Sequence, residues 1–345
     1  MKRVLLIGGT GIISSAITAK LAVDKNYELT LLNRGNNTSK VPAGVEVLTG
    51  DINNVVEIAQ LLNGRQFDVV ADFIAFGLDH VKRDFKLFKG ITKQYIFIST
   101  ASAYQKPPVD YVITESTPLV NPYWGYSHNK AKCEEWLLDR FREDGFPVTI
   151  VRPSHTYNNE RVPLALYGHH GSWQVIRRML AGKPVPIPGD GSSLWTMTHN
   201  TDFANGFIGL LSNPRAIGHA VHITSDEALT WRQIYDTIAA KLGVELNPLF
   251  VTTELLAHAG KKYGYDYEGS LLGDKAWNAV FDNSKIKRLV PSFSADIRYD
   301  QGVSLAIDHI LANPHLQTED LEFDAFCDEL ADATKGMYDK FTKTD

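Results

Sequence analysis

A glycine-rich turn near the start of the chain constrains the fold more than any other feature. The turn spans Gly8 to Gly11, follows the hydrophobic run Val4–Ile7, and precedes a stretch in which apolar residues recur every four positions. This pattern predicts a buried strand, a tight turn and a helix. In parallel α/β sheets such a turn brings backbone N–H groups and a helix N-terminus close to a pyrophosphate. We therefore expect a dinucleotide site here.

Segments typical of strands alternate with helical segments over the first 150 residues. The strands predicted after the first one lie at residues 29–32, 45–48, 69–75, 95–98 and 148–151, and residues 220–223 predict a late strand. This alternation is typical of an α/β fold with a Rossmann-like doubly wound parallel sheet. Ligands bind at the carboxyl ends of the strands in such sheets.

The regular alternation stops after residue 153, which predicts a second part of the molecule. We expect a dinucleotide-binding Rossmann domain over residues 1–153, to which residues 197–225 return. Residues 154–196 and 226–345 are expected to form a smaller substrate-binding lobe and C-terminal helices. Residues 154–198 are rich in His, Gly, Pro and Trp and predict irregular structure.

Composition excludes several classes of protein. The 345 residues, 44% of them hydrophobic, can bury a large core. A net charge of −5 gives no general attraction for nucleic acid or an anionic membrane. Two cysteines exclude a disulfide framework and favour a reducing compartment. No apolar run approaches the roughly 20 residues of a membrane span. We therefore expect a cytoplasmic protein with no nucleic-acid or membrane partner.

A second motif places Tyr126 and Lys130 four residues apart, on the same face of a predicted helix. A free phenol has a pKa of about 10, and a nearby ammonium can lower that pKa by roughly 1–3 units. The pair therefore suits acid–base work during hydride transfer on an alcohol or ketone. Thr100, at the end of the fifth predicted strand, is a candidate to position the substrate oxygen. The alternatives are a chance spacing for the pair and a strand-end cap for Thr100.

The polar turn Asn33–Asn37, after the second predicted strand, bears on the choice of cofactor. An acid at this place binds the ribose 2′-hydroxyl, whereas an arginine favours a 2′-phosphate. Asn33-Arg34 contains no acid and favours NADP, with NAD as the alternative. Arg34 can instead be a solvated turn residue or stack on adenine. Asp51, after Gly50, is placed either to bind the adenine amino group or to cap a turn.

Taken together, these motifs make the chain resemble the extended short-chain dehydrogenase/reductase superfamily, the NAD-dependent epimerase/dehydratase group, over roughly residues 1–300. The resemblance is carried by Gly8 to Ile13, Gly50 to Ile52, Ser99 to Tyr104, Thr114-Glu115 with Pro118, Tyr126 to Lys130, Arg152-Pro153, and Gly189 to Gly191 leading to Asp202. It implies that Tyr126 is the acid/base, Lys130 its partner and Thr100 the hydroxyl helper. It also implies that Ser154 lies near the nicotinamide.

Two sets of residues are therefore candidates for ligand contact. The candidate cofactor contacts are Gly8, Thr10, Gly11, Ile12, Ile13, Asn33, Arg34, Asp51, Ile52, Ala75, Lys130, Pro153 and Ser154. The candidate substrate contacts are Thr100, Tyr126, His155 and Trp195. Imidazole and aromatic side chains suit a polyhydroxylated, sugar-like small molecule, although packing explains the tryptophans equally well. The clustered histidines lack a metal-site spacing, so no metal is expected.

Several positions depart from the pattern of the group. Dehydratases of the group carry an acid within two places after the Ser/Thr, whereas Ala101 and Ser102 stand here, which argues against dehydration. Trp195 occupies a position where members that bind nucleoside diphosphates usually have an arginine. Ser14 replaces the usual third glycine of the turn, and serine is small enough for close helix–strand packing. Glu134, four residues after Lys130, has the spacing of an ordinary helix ion pair.

These observations predict an NAD(P)-dependent oxidoreductase/epimerase that acts on a secondary alcohol or ketone of a sugar-like substrate. The resemblance alone favours an epimerase over a simple NADP-dependent reductase or dehydrogenase, and it allows a homodimer. A non-catalytic RNA- or nucleotide-binding protein on the same scaffold is the alternative, because residues 183–189 resemble plant chloroplast stem-loop-binding proteins. The presence of Tyr126 and Lys130 and the acidic net charge argue against that alternative.

Overall fold

The structure is a computed structural model that describes residues 1–36 and 38–342. Asn37, which ends the polar turn predicted after the second strand, and residues 343–345, which end the predicted C-terminal lobe, lie outside the described residues.

The strands are short, and seven of them form the central sheet. In chain order they are β1 (Lys2–Ile7), β2 (Tyr27–Asn33), β3 (Glu46–Thr49), β4 (Val69–Asp72), β5 (Tyr95–Ile98), β6 (Val112–Ile113), β7 (Val148–Pro153), β8 (His155–Tyr157), β9 (Val185–Pro188), β10 (Leu194–Trp195), β11 (Met197–His199), β12 (Ala220–Ile223), β13 (Leu229–Thr230), β14 (Pro248–Val251) and β15 (Val280–Phe281).

Helices cover both faces of that sheet and build most of the C-terminal half. They are α1 (Ser14–Val23), α2 (Val55–Leu61), α3 (Leu78–Phe88), α4 (Gly125–Asp144), α5 (Trp173–Leu180), α6 (Asn200–Leu210), α7 (Trp231–Leu242), α8 (Thr253–Lys261), α9 (Ser284–Leu289), α10 (Tyr299–Ala312) and α11 (Leu321–Thr342). Short 3-10 turns lie at Thr38–Lys40, Ala101–Ala103, Pro214–Ala216 and Pro314–Leu316, and a π-helical segment spans Glu268–Lys275.

The central sheet is wholly parallel, with the order β3-β2-β1-β4-β5-β7-β12. The predicted α/β fold with a Rossmann-like doubly wound sheet is confirmed. The chain winds outward in one direction from β1 to β3 and in the other from β4 to β12. A crevice therefore opens at the carboxyl ends of β1 and β4, where ligands bind in such sheets.

The central strands are continuous hydrophobic runs because both faces of the sheet are covered. Every residue of β4 and of β5 is buried. One face packs against Ile17 of α1 and Phe207 of α6. The opposite face packs against Phe88 of α3 and Leu137 of α4. Burial on both faces holds the strand ends in fixed positions, and the functional groups sit on those ends.

A third hydrophobic core lies beside the sheet and contains residues of α5, α7, α10 and α11. The expectation that residues 154–198 are irregular is wrong, because they include α5 and the short strands β8 to β11. Val175, Ile176 and Met179 are buried along one side of α5 and pack into this core. The domain boundaries at residues 153, 197 and 225 stay predictions. No helix in the described ranges is long and apolar enough to cross a membrane.

Candidate active site

A cleft of about 440 Å³ opens where the strand order reverses. Its lining consists of Ile7, Gly8, Thr10, Gly11, Leu32, Asn33, Arg34, Asn36, Gly50, Asp51, Ile52, Asn53, Ile74, Phe76 and His80. We call it the dinucleotide cleft. Seven of the candidate cofactor residues meet here, namely Gly8, Thr10, Gly11, Asn33, Arg34, Asp51 and Ile52.

The remaining candidate cofactor residues lie around this cleft. Ile12 borders a separate small cavity, and Ile13 is the residue directly before α1. Ala75 offers its backbone carbonyl to Lys130. Pro153 and Ser154 line a second cleft, described below.

The glycine turn requires glycine at its first position. Gly8 has φ of +79°, and a Cβ atom there would lie 2.7 Å from Ile74 Cγ2. Ser14 stabilises the same turn, because its hydroxyl donates to Gly8 O at 2.7 Å and accepts from Gly11 N at 2.9 Å. The serine that replaces the usual glycine therefore closes the turn through hydrogen bonds in addition to packing closely.

The turn fits the pyrophosphate of a dinucleotide. Over the described part of the chain, the backbone N–H groups of Ile12 and Ile13 have no protein acceptor, and both precede the ten-residue helix α1. Unpaired N–H groups at a helix N-terminus favour an anion.

The dinucleotide cleft also contains Arg34, which is predicted to select the cofactor, and Asp51, which is predicted to bind adenine or to cap a turn. Arg34 is exposed, and no carboxylate among the described residues pairs with it. Asp51 caps a turn, since its Oδ1 accepts from the backbone and side-chain nitrogens of Asn53 at 3.0 and 3.1 Å. Its Oδ2 makes no hydrogen bond to the described residues, so capping leaves it able to bind a ligand.

Lys130 joins helix α4 to the carboxyl end of the sheet. The residue is buried, and its Nζ donates to Ala75 O at 2.7 Å and to Ile98 O at 2.6 Å. Burial lowers the pKa of Lys130 to about 8, against the opposing attraction of Asp72. Its Nζ lies 5.8 Å from the centroid of the Tyr126 ring, so the pair shares a face of α4, as the spacing predicts.

The Tyr126 phenol stays protonated at neutral pH. Burial raises its pKa above 10, the Thr100 hydroxyl opposes that shift, and Asp274 adds to it. The expectation that this pKa is lowered beside Lys130 is wrong for this structure, because burial is the largest influence and shifts the pKa upward. Tyr126 is therefore prepared to donate a proton.

Thr100 starts a chain of hydroxyl groups behind Tyr126. It caps the turn Ala101–Ala103, with its Oγ1 accepting from Ser102 N at 3.2 Å. Ser102 Oγ lies 2.9 Å from Thr100 Oγ1 and 2.7 Å from Ser127 Oγ. Thr100 is thus a cap and also lines the cleft beside Tyr126. The sequence did not mark Ser102 as part of this network.

A second cleft, of about 320 Å³, begins at these residues. We call it the substrate cleft. It is lined by Thr100, Ala101, Ser102, Lys106, Trp124, Tyr126, Pro153, Ser154, His155, Tyr167, Trp195, Asp274, Lys275, Ala279 and Phe281. All four candidate substrate residues are among them.

His155 is a neutral hydrogen-bond donor in this cleft. Trp195 Nε1 donates to His155 Nδ1 at 3.2 Å, which leaves the ring proton on Nε2. Burial lowers the pKa of His155 to about 3, and Lys275 and Arg161 act in the same direction. Trp195 itself is buried and stacks on Trp231, with ring centroids 5.3 Å apart. Trp195 therefore fixes the orientation of the imidazole.

We expect acid to destabilise the protein in part through His155. The unfolded side chain takes up a proton at about pH 6.5, but the folded one does so only at about pH 3. Between these values the unfolded state binds more protons, so the free energy of unfolding decreases as the pH falls. Urea unfolding at several pH values should show a shallower decrease for His155→Gln than for the wild type. Identical pH slopes would contradict this assignment.

A buried ion pair that was not predicted from the sequence joins α4 to β7. Glu134 is 0% exposed and pairs with Arg152, which is 4% exposed, at 2.6 Å. Ser99 Oγ also donates to Glu134, and the Arg152 guanidinium lies 4.8 Å from the Tyr104 ring centroid. The predicted ordinary ion pair of Glu134 with Lys130 is wrong, because Glu134 points toward β7.

Among the described residues, no group of three or more His, Cys, Asp or Glu side chains is arranged to hold a metal ion.

Known proteins resemble this chain in sequence and in fold. The model of the NAD dependent epimerase/dehydratase family matches residues 4–224. The 2′-dehydrokanamycin reductase of Streptomyces kanamyceticus is 24% identical over 291 residues, covering 84% of this chain and 80% of that protein. The chloroplast stem-loop binding protein of 41 kDa b from Arabidopsis thaliana is 26% identical, over 67% of this chain and 60% of its own length.

Among solved structures, UDP-glucuronic acid 4-epimerase from Bacillus cereus in complex with NAD has a TM-score of 0.71 at 20% identity. The alignment covers 92% of this chain and all of that one.

Proposed function

This chain is an enzyme of the NAD dependent epimerase/dehydratase family, and we propose that it interconverts a ketone and a secondary alcohol of a sugar-like substrate. The position of Tyr126 carries the proposal. Tyr126 lines the substrate cleft, and its ring centroid lies 6.5 Å from that of Phe76, which lines the dinucleotide cleft. A group at the junction of the two clefts can serve both ligands.

In the proposed reaction, the chain supplies the proton and the orientation. The nicotinamide cofactor supplies the hydride when it is bound. Tyr126 donates its phenolic proton to the ketone oxygen as the carbon is reduced, and solvent returns a proton to the phenolate. The Thr100 hydroxyl orients the same oxygen, and Lys130 would hold the ribose next to the nicotinamide. The unpaired N–H groups of the glycine turn would hold the pyrophosphate.

We favour reduction over epimerisation and dehydration. At neutral pH the Tyr126 phenol is protonated, so it can donate a proton to a ketone oxygen but has to ionise before it can accept one from an alcohol. Ala101 and Ser102 provide no carboxylate to drive elimination. The similarity to a named reductase supports the same choice.

The proposed reaction can be tested with purified protein. Reduced nicotinamide should be consumed in the presence of at least one member of a panel of keto sugars and sugar acids. Tight cofactor binding without turnover of any ketone or alcohol of the panel would contradict the proposal.

We propose NADP as the preferred cofactor because Arg34 is exposed in the dinucleotide cleft and is unpaired. Replacing Arg34 by alanine should weaken NADPH binding about 10- to 100-fold, as expected for a charge-assisted hydrogen bond worth roughly 1.5–3 kcal/mol. NADH binding should change little. Arg142→Ala, which removes an exposed arginine of α4 that pairs with Asp139, is the matched control. Equal losses for NADPH and NADH would show that Arg34 does not read the 2′-phosphate.

RNA binding is a second candidate because of the similarity to the chloroplast stem-loop binding protein. The net charge of −5 opposes binding to a phosphate backbone. Salt-dependent RNA binding at physiological ionic strength would favour this candidate over the enzyme.

A cytoplasmic location and a homodimer also stay proposals. Cys133 and Cys327 are both buried free thiols, which fits a reducing compartment. Light scattering during gel filtration would test the oligomeric state.

A further inference from the structure

The substrate cleft contains three charged side chains that the proposed reaction does not use. Lys106 lies on the segment that follows the Thr100 turn. Asp274 and Lys275 end the π-helical segment Glu268–Lys275 on another wall, outside the residues matched by the family model. We refer to these three residues as the charged triplet.

Lys106 is an unpaired ammonium in a buried position. The residue is 3% exposed, and its Nζ makes no hydrogen bond or ion pair to the described residues. Burial lowers the pKa of Lys106, and the attraction of Asp274 opposes that shift. A buried charge without an ion-pair partner is costly, so an anionic ligand that pairs with it is favoured. Lys106 lines the cleft, so a substrate can reach it.

Lys275 and Asp274 are also incompletely paired. Lys275 is 8% exposed, and its Nζ makes one long contact, 3.5 Å to Ser270 O. Burial raises the pKa of Asp274, and the attraction of Lys106 and Lys275 opposes that shift. Neither lysine forms an ion pair within 4.0 Å of Asp274 in the described part of the chain. The three charges therefore interact across the cleft, but no ion pair among them blocks it.

When its two lysines and Asp274 are ionised, the triplet gives the cleft an excess of one positive charge. Two ammonium groups face one carboxylate, His155 is neutral, and Lys130 is bound to backbone carbonyls. Such a cleft attracts a ligand with an anionic group and repels one with several amino groups. The carboxylate of Asp274 can accept hydrogen bonds from sugar hydroxyl groups.

We propose that Lys106 and Lys275 bind an anionic group, a carboxylate or a phosphate, on the sugar-like substrate, and that Asp274 binds its hydroxyl groups. This inference rests on the proposed function for the identity of the cleft. It narrows the substrate class to acidic or phosphorylated sugars.

The test is a binding measurement with sugars that differ in charge. NADPH-loaded protein would be titrated with glucuronate, glucose 6-phosphate, glucose and glucosamine, and binding followed by calorimetry. We expect at least one of the two anionic sugars to bind about tenfold or more tightly than glucose, and glucosamine to bind most weakly. The anionic sugar that binds more tightly shows whether the site prefers a carboxylate or a phosphate.

Variants assign this preference to the triplet. Lys106→Met and Lys275→Met should each remove most of the preference for the anion, while Lys106→Arg should retain it. Lys132→Met, at an exposed site on α4, is the control. Unchanged NADPH affinity would show that each variant is folded. Equal binding of glucose and both anions by the wild type, or an unchanged preference in both methionine variants, would overturn the inference.

The binding assay separates this inference from the proposed function. Lysine-dependent anion binding by a protein that turns over no ketone would contradict the proposed function and leave the anion site standing. Turnover of neutral keto sugars with no preference for anions would support the proposed function and contradict the anion site.

Discussion

Replacing Tyr126 by phenylalanine should lower kcat for ketone reduction by a factor of about 10²–10⁴, the usual contribution of a positioned general acid. The variant lacks the phenol that interacts with the Thr100 hydroxyl in the substrate cleft. Its ring can keep the contacts with Phe76 and Trp124, whose centroids lie 6.5 and 5.1 Å away. NADPH affinity should therefore remain close to that of the wild type, as measured by fluorescence titration.

The matched control is Tyr123→Phe, which removes a phenol just before α4 that does not line the substrate cleft. Its kcat should be close to that of the wild type. Because Tyr126 acts in its protonated form, the reduction rate should hold through neutral pH and fall only in alkaline solution, as the phenol ionises. An unchanged kcat in Tyr126→Phe would remove Tyr126 from the mechanism.

Replacing Glu134 by alanine should lower the free energy of unfolding by about 3–5 kcal/mol, the usual cost of breaking a buried ion pair. Arg152 would lose its carboxylate partner while remaining 4% exposed between β7 and the Tyr104 ring. The Ser99 hydroxyl would also lose its acceptor. Urea unfolding, followed by circular dichroism, measures the change.

Glu143→Ala provides the comparison, because Glu143 pairs with Arg140 at the exposed end of α4. Such surface pairs contribute about 0–1 kcal/mol. The double variant Glu134→Leu/Arg152→Met should be more stable than Glu134→Ala, since no unpaired charge remains buried. If Glu134→Ala destabilised the protein no more than Glu143→Ala, the buried ion pair would not contribute to stability as predicted.

The parts of the molecule that could be predicted from sequence are those fixed by local pattern. The strand, turn and helix around Gly8 depend on consecutive residues, so hydrophobic periodicity and glycine placement were sufficient. Tyr126 and Lys130 share a helix face because helical geometry alone places residues four apart on one side. Thr100 and His155 share a cleft because they follow β5 and β7, whose carboxyl ends meet at one edge of the parallel sheet.

The parts that were missed depend on contacts between distant segments. Lys130 binds the carbonyls of Ala75 and Ile98, and this pairing cannot be read from the helix on which Lys130 lies. Glu134, on α4, pairs with Arg152 on β7, which lies outside the local pattern of residues around Glu134. Asp274 and Lys275 reach the cleft from a π-helical segment with no sequence motif. Burial, which sets the direction of the pKa shift of Tyr126, is likewise a property of the folded chain.

A crystal structure of the protein with NADPH bound would test most directly whether the two clefts form one active site. We expect the adenine end in the dinucleotide cleft near Asp51 and the nicotinamide ring in contact with Tyr126 and Ser154, with Lys130 Nζ bonded to the adjoining ribose. A dinucleotide bound elsewhere, or a Tyr126 hydroxyl turned away from the nicotinamide, would contradict the proposed enzyme mechanism.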